Sequence, residues 1–512
     1  MEMGNFPEFA FHLLEALSLI FAGLLALLIV AIIYMYIVDI NQTEQTIRRN
    51  YPVIGRLRYK FEHLGEFFRQ YFFAQDREEL PFNRAQRSWV YRAAKNVDST
   101  IAFGSTRSLD KPGDLLFLND PFPTLEEEAK EASHVTIGPY ADKPFITNSI
   151  YNLSGMSFGA LSVPAVTALA TGAKKAGIWM NTGEGGLSSY HLQSGCDIVF
   201  QIGTAKYGVR DNNSQLCDEK LRGVAAHEQV RMFEIKMSQG AKPGKGGILP
   251  GEKVNDEIAA IRGIPVGEDS ISPNGHPDIR NIDDLLDMIA RIRNVTGKPV
   301  GFKAVIGTSA WLEELCEKIH TRGIECAPDF ITVDSADGGT GAAPQSLMDY
   351  MGTPLKRSLP KVINILISYN LKDRIKVICS GKMVNPSDVA AALCMGADFV
   401  VSARGFMFAL GCIQALQCNK NTCPTGITTH NPKLQKGLIP SNKAERVANF
   451  VKNMRKEVGI IAHSCGVVEP RKLNRSHAEL INERGIPMPM SDVYPLPQIK
   501  PEYRVESHRS PE

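Results

Sequence analysis

The 512-residue sequence has almost no net charge, with 57 Lys and Arg against 55 Asp and Glu. That balance excludes a global basic footprint for nucleic acid, and no nucleic-acid-binding motif occurs. There is no internal repeat. The chain also falls far short of disulfide-scaffold density: ten cysteines in this length point to a reducing compartment. Seven of them (Cys196, Cys217, Cys316, Cys326, Cys379, Cys394 and Cys465) are scattered singly and read as core thiols. No G-x-G-x-x-G fingerprint follows the first strand candidate, which leaves a Rossmann reading weak. What the chain does have is length enough for two to four domains or one large α/β barrel with extensions. Its 43 glycines are gathered in short loops, a pattern suited to backbone approaching a ligand.

Charge is missing altogether from Ala16 to Val38, "ALSLIFAGLLALLIVAIIYMYIV", long enough to span a bilayer of about 30 Å. Tyr34 and Tyr36 stand where an interfacial belt would lie. A cleaved signal would start with basic residues, whereas here Glu2 and Glu8 precede the run and no Lys or Arg does. Arg48, Arg49, Arg56, Arg58, Lys60 and Arg69 all follow it. The expectation is a single span over residues 1–40, the N-terminus outside and the rest of the chain cytoplasmic. Residues 41–130 form a basic, aromatic extension that either lies on anionic headgroups or packs on the catalytic domain. Its acidic patch at 124–132, "TLEEEAKEA", reads as a solvated helix. A further extension, 437–512, holds an amphipathic helix near 443–462 and a Pro-rich tail.

Between these ends, over 131–436, short β-branched runs alternate with helical patterns. Strands are expected near 148–153, 177–181, 197–202, 232–237, 299–305, 329–334, 375–379 and 398–402. Helices fit at 282–294, 309–322, 386–395 and 405–417. Such alternation implies parallel strands, and eight of them predict an α/β fold closed as a (β/α)8 barrel. Glycine-rich loops follow most strands: "SGMSFGALS", "NTGEGG", "SQGAKPGKGG", "SADGGTGAAP", "SGKMVNP" and "ARGF". In a barrel these loops share the face that carries the active site, and those after strands 7 and 8 often hold phosphate, which marks Gly381 and Gly405. Lys303, inside the apolar strand "GFKAVIG", needs a counter-ion or a ligand.

"GCIQALQCNKNTCPTG" bunches Cys412, Cys418 and Cys423 as C-x5-C-x4-C. A four-iron cluster would want a fourth cysteine, and none follows Cys423 within forty residues. Zinc would also want a fourth ligand, for which His430 is the local candidate. Both readings stand on spacing alone, with the cluster favoured.

Taken together, "GMSFGALS", "NTGEGG", "QIGTAKYGV", "QGAKPGKGG" with its trailing "LPG" and "KV", "DGGTGA" and the cysteine string resemble the FMN-binding synthase domain of glutamate synthase over about residues 150–440. The segment 443–462 also looks like the stretch that follows that domain. The resemblance implies FMN at the C-terminal face of the barrel, with Met156, Ser157, Gly159, Lys303, Gly338, Gly339, Thr340, Gly381, Arg404 and Gly405 as its contacts. It implies a 3Fe–4S cluster on Cys412, Cys418 and Cys423, and reductive amination of 2-oxoglutarate to glutamate. Gln239, Lys242 and Arg262 match the family's contacts to that substrate, and Glu184 matches an acid near it. Lys303 would face the N1–C2 edge of the flavin.

The departures from the family carry expectations of their own. The chain does not begin with a nucleophilic cysteine, and no glutaminase domain precedes the barrel. The amine is therefore expected to be free ammonia, another amine, or ammonia from a partner chain, with electrons from a carrier such as ferredoxin. Two other readings compete: an N-alkylglutamate-forming, amine-transferring subunit, and a membrane-anchored electron relay. A 2-hydroxy-acid oxidase finds no suitable His and Arg pair.

Overall fold

The computed structural model describes residues 6–240 and 242–504. The chain divides into two compact units, 1–85 and 86–512. The first opens on one helix, Phe6–Asn41, the one helix among the described residues long and apolar enough to cross a membrane. No part of its most apolar window is buried. Short helix Thr46–Asn50 and helix Gly55–Phe68 follow, the latter running on into a π-helical turn, Arg69–Phe73.

The second unit is built on eight parallel strands: β1 Tyr151–Leu153, β2 Met180–Asn181, β3 Ile198–Ile202, β4 Val230–Lys236, β5 Val300–Val305, β6 Phe330–Asp334, β7 Lys376–Ser380 and β8 Phe399–Ser402. They form a closed barrel, each strand paired with its neighbours in sequence and β8 with β1. Both faces of these strands are buried, so they read as unbroken apolar runs and not as alternating ones. A helix follows each strand: α1 Val163–Ala176, α2 Ser189–Leu192, α3 Asp218–Ala225, α4 Ile282–Thr296, α5 Ala310–Arg322, α6 Leu355–Ser368, α7 Pro386–Met395 and α8 Arg404–Leu410. The helix starts are chemically marked. Ser162 Oγ accepts from Ala165 N–H at the head of α1, and Asn281 Oδ1 accepts from Asp284 N–H at the head of α4.

The N-terminal mouth of the barrel is stoppered. A hairpin of Val135–Ile137 and Phe145–Thr147 brings Ile137 and Phe145 against Trp179, Val199, Met232, Phe330, Ile378, Phe399 and Val401. Trp179 meets Phe145 and Phe399 edge-on at 6.1 and 5.1 Å. Only the opposite mouth is left for chemistry. Helix Pro440–Ser464 lies along α1, burying Val447, Phe450, Val451, Met454 and Val458 at helical spacing, each worth about 1.5–3 kcal/mol. Gly172 permits that approach, since a Cβ there would sit 2.5 Å from Val447 Cβ.

Two local expectations are corrected. Residues 124–132 form no helix: Thr124 and Lys130 N–H donate to the His463 and Val468 carbonyls, and Glu128 and Ala129 close only a local turn on Leu125 and Glu126. The helix expected at 405–417 stops at Leu410, where Gly411 turns left-handed and Gln414 and Leu416 keep the chain out of helical geometry. The Pro-rich tail starts in a sheet: Pro487–Pro489 pairs with Ala478–Ile481, which also pairs with Leu115–Phe117, all antiparallel.

Candidate active site

The loops at the C-terminal ends of the strands surround an open cleft. Strand β4 aims two charged side chains inward, because Glu234 and Lys236 are two residues apart on the same face of a strand. Glu234 is 3% exposed and fully satisfied: Asn181 Nδ2 and Gln201 Nε2 donate to Oε1 at 2.8 and 2.6 Å, and Thr332 Oγ1 donates to Oε2 at 2.6 Å. It forms a polar floor beneath the cleft.

Above it, Glu184 sits on the tight turn Gly183–Gly185 after β2. Gln239 Nε2 donates to its two oxygens at 2.9 and 2.7 Å. Lys236 Nζ donates to Gln239 Oε1 at 2.6 Å and stands 3.6 Å from Glu184 Oε1. Burial alone would raise the Glu184 carboxyl, but Lys236, Gln239, Arg262 and Lys242 outweigh it and hold the group below the usual range. Glu184 is therefore ionised, and the net local charge is positive.

Lys242 is buried, and its ammonium donates to Ala342 O at 2.6 Å, tying the loop after β4 to the loop after β6. Arg262 comes from a short helix, Asp256–Arg262, inserted after β4. Its guanidinium donates to Ser270 Oγ and Phe158 O at 3.0 and 3.1 Å and lies 5.2 Å from the Tyr207 ring centre, while its Nε has no partner. Desolvation lowers both cations from their ordinary values. Each therefore gains from a bound anion.

Lys303 on β5 is 7% exposed and lies 3.1 Å from Asp334 Oδ2 on β6. Burial would lower it, but Asp334 and Glu234 hold it above the usual lysine range, so it is a fixed cation inside the barrel. Arg404 bridges two loops, donating to Thr340 O at 2.6 Å and reaching Cys418 Sγ at 3.6 Å. Gly381, at φ 135°, comes so close to the loop after β6 that a Cβ would sit 2.2 Å from Ser335 Cβ.

The three-cysteine loop follows α8. Each sulfur has a hydrogen-bond partner: Gln414 N–H donates to Cys412 at 3.5 Å, Arg404 donates to Cys418, and Cys423 and Thr425 Oγ1 share a hydrogen bond at 3.4 Å. Burial raises the Cys412 thiol, while at Cys423 the hydrogen bonds of Thr425 and Thr428 overcome burial and lower it. Under the loop lies Lys253, 2% exposed, donating to the carbonyls of Cys418 and Thr428 at 2.7 and 2.6 Å. His430 is turned to Gly159 O at 2.8 Å, away from any thiol partnership. Among the described residues no three His, Cys, Asp or Glu side chains gather around a single ion. Of the single cysteines, Cys196, Cys316, Cys379, Cys394 and Cys465 are buried and Cys217 and Cys326 half-buried.

Of the residues singled out in the sequence, Glu184, Gln239, Lys242, Arg262, Met156, Ser157, Lys303, Gly339, Thr340, Arg404 and Cys418 line the cleft. Gly159, Gly338, Gly381, Gly405, Cys412 and Cys423 stand behind its surface. The Gly405 N–H donates to Ser402 Oγ at 3.2 Å. Sequence reasoning missed Lys236, Glu234, Asp334 and Lys253. For the first two a signal existed: two charges at alternate positions of the apolar run "RMFEIKM".

Fold and site together define an α/β barrel whose open mouth is a cation-rich cleft edged by a cysteine loop. The family model for the conserved region in glutamate synthase matches residues 109–468, and the chain belongs to that family. It is 39% identical to a glutamate synthase large subunit-like protein, YerD, of Bacillus subtilis, over 92% of this chain and 96% of that protein. It is 36% identical to an archaeal glutamate synthase [NADPH] of Methanocaldococcus jannaschii, over 63% of this chain and 60% of that protein. Among solved structures, the flavin-binding domain of baker's yeast flavocytochrome b2 is similar at a TM-score of 0.45 and 14% identity, over 82% of this chain and 86% of that one.

Proposed function

We propose that this chain is a flavin-dependent oxidoreductase that reductively aminates a 2-oxo diacid, 2-oxoglutarate, to glutamate. Membership of the glutamate synthase family supports an oxidoreductase of this kind. The observation that carries the substrate is the convergence of Lys242, Arg262 and the ionised Glu184 in one cleft. An oxo-diacid brings two carboxylates, and Lys242 and Arg262 are two desolvated cations that its binding would satisfy, Arg262 through its unpartnered Nε. Glu184 has the charge to hold an ammonium or a protonated imine nitrogen beside the bound acid. Gln239 and Lys236 fix its orientation.

The residues present fit FMN. Lys303 is a buried cation held charged by Asp334, suited to the electron-rich edge of a flavin. Gly338 and Gly381 bring the loops after β6 and β7 close together without side chains, and Met156, Ser157, Gly339, Thr340 and Arg404 line the cleft. The cysteine loop likewise fits a cluster of several irons: three thiols within electrostatic reach of one another, each with a hydrogen-bond partner, and His430 engaged elsewhere. When bound, FMN supplies hydride chemistry and the cluster a one-electron relay from a carrier such as ferredoxin. In the net reaction the oxo acid and ammonia condense to an imine with loss of the carbonyl oxygen as water, and two electrons with two protons reduce that imine to the amine. The test is anaerobic photoreduction of the purified protein followed by 2-oxoglutarate and ammonium. Flavin reoxidation with stoichiometric glutamate is expected; a flavin spectrum indifferent to 2-oxoglutarate supports a pure electron relay instead.

Helix Phe6–Asn41 is read as a membrane span with the barrel in the cytoplasm, supported by its exposed apolar surface and by the basic residues that follow it.

A further inference from the structure

We propose that the segment Gly55–Phe73 lies in the headgroup layer of an anionic leaflet, flat against the bilayer that the preceding helix enters. The inference rests on the reading of Phe6–Asn41 as a span.

A bend is built in at the end of that helix. Asp39 is fully buried, and its carboxylate accepts from Arg48 Nη2 at 2.6 Å, Arg56 Nη2 at 2.8 Å and the Val53 N–H at 3.0 Å. Three groups, from the short helix, the turn after it and the next helix, are thus locked to one carboxylate. Gly55 completes the elbow: a Cβ there would lie 2.7 Å from Ile47 O, so the next helix starts in contact with the last.

The helix that leaves the elbow is apolar along one stripe. Leu57, Phe61, Leu64, Phe68 and Phe72 recur at spacings of three and four, while Arg58, Glu62, Glu66 and Arg69 occupy the other side. The stripe is exposed where a soluble helix would bury it, with Phe61 at 65% and Phe72 and Phe73 both at 74%. A contiguous aromatic surface of this size calls for a cover. Charge selects which one: residues 55–73 carry four basic side chains, of which Arg58, Lys60 and Arg69 are not engaged by Asp39, against two acidic ones. Aromatic rings and arginine stems suit the boundary between headgroups and acyl chains, and each basic residue near an anionic surface favours binding about fivefold.

The experiment uses the full chain in nanodiscs of phosphatidylcholine, with or without phosphatidylglycerol, doped with a lipid carrying a photoreactive group near its glycerol. Crosslinked peptides are mapped by mass spectrometry. Crosslinks on peptides holding Phe61, Phe67, Phe68, Phe72 and Phe73 are expected, their yield rising several-fold with phosphatidylglycerol. The double variant Arg58→Glu with Arg69→Glu should lose that rise while FMN content stays unchanged. Crosslinks confined to Phe6–Asn41 overturn the interfacial placement and leave the span standing. Crosslinks on neither segment overturn the span itself. A yield indifferent to phosphatidylglycerol, or chemical crosslinks from Lys60 to the barrel in place of lipid, overturns the anionic-surface assignment.

Discussion

Lys242 and Arg262 are two cations held where water hardly reaches, and their roles can be separated from the rest of the barrel. Removing either leaves a desolvated substrate carboxylate short of a partner, which typically costs about 2–5 kcal/mol, or roughly thirty- to several-thousand-fold in affinity. Titration of 2-oxoglutarate against flavin absorbance in Lys242→Ala and Arg262→Ala should show that loss, with FMN content and melting temperature hardly moved. Equal affinity in both variants sinks the substrate assignment. Lys242 also sets a pH dependence. Its pKa is lowered by burial, and only the protonated form attracts a carboxylate, so affinity is full at low pH and is lost as pH rises through that lowered value. The loss should begin below the pH at which an ordinary lysine deprotonates, and the alkaline limb should be missing in Lys242→Ala.

Among the elements, the cysteine loop and the glycine loops are proposed to hold different groups, and although Arg404 links them, mutation should separate the two roles. Cys418→Ala should strip iron and acid-labile sulfide while leaving most FMN in place, checked by metal and flavin analysis. Unchanged iron, or stoichiometric zinc in the wild type, defeats the cluster. All eight barrel strands were legible in the sequence, since strands buried on both faces are compact apolar runs bounded by glycine loops. The cleft residues Glu184, Gln239, Lys242 and Arg262 were reached through motif resemblance, because nothing local distinguishes Arg262 from a solvated helix arginine. Lys236 and Glu234 lay unread within a correctly placed strand, their alternation masked by the apolar residues between them. Lys253 and Asp334 carry no local mark either; each matters only through what a distant segment brings against it. The acidic stretch 124–132 misled for the same reason, two of its amides donating to the end of a helix and the residues just beyond it, more than three hundred residues away in sequence.

For the whole molecule, the span predicts that alkaline carbonate leaves the protein in membranes, because apolar burial is not screened or titrated away. Release into the supernatant would remove the anchor. The barrel should also be acid-sensitive. His191 and His276 are buried, and burial depresses each from 6.5 to about 4. The unfolded chain then takes up protons that the folded one refuses, so stability is complete above about 6.5 and declines as pH falls towards about 4, by on the order of a few kcal/mol per histidine. Melting temperature against pH should show the slope, and His276→Gln should flatten it. The sheet that joins Leu115–Phe117 to Ala478–Ile481 adds a constraint of timing. At about 5–20 residues per second of synthesis, the early strand waits roughly 20–70 s for its partner to be made. The apolar helix at the front is delivered long before the barrel's last strand exists. On the proposed membrane span, biogenesis runs in one order: the chain engages a bilayer as it emerges, and the barrel closes afterwards, already tethered.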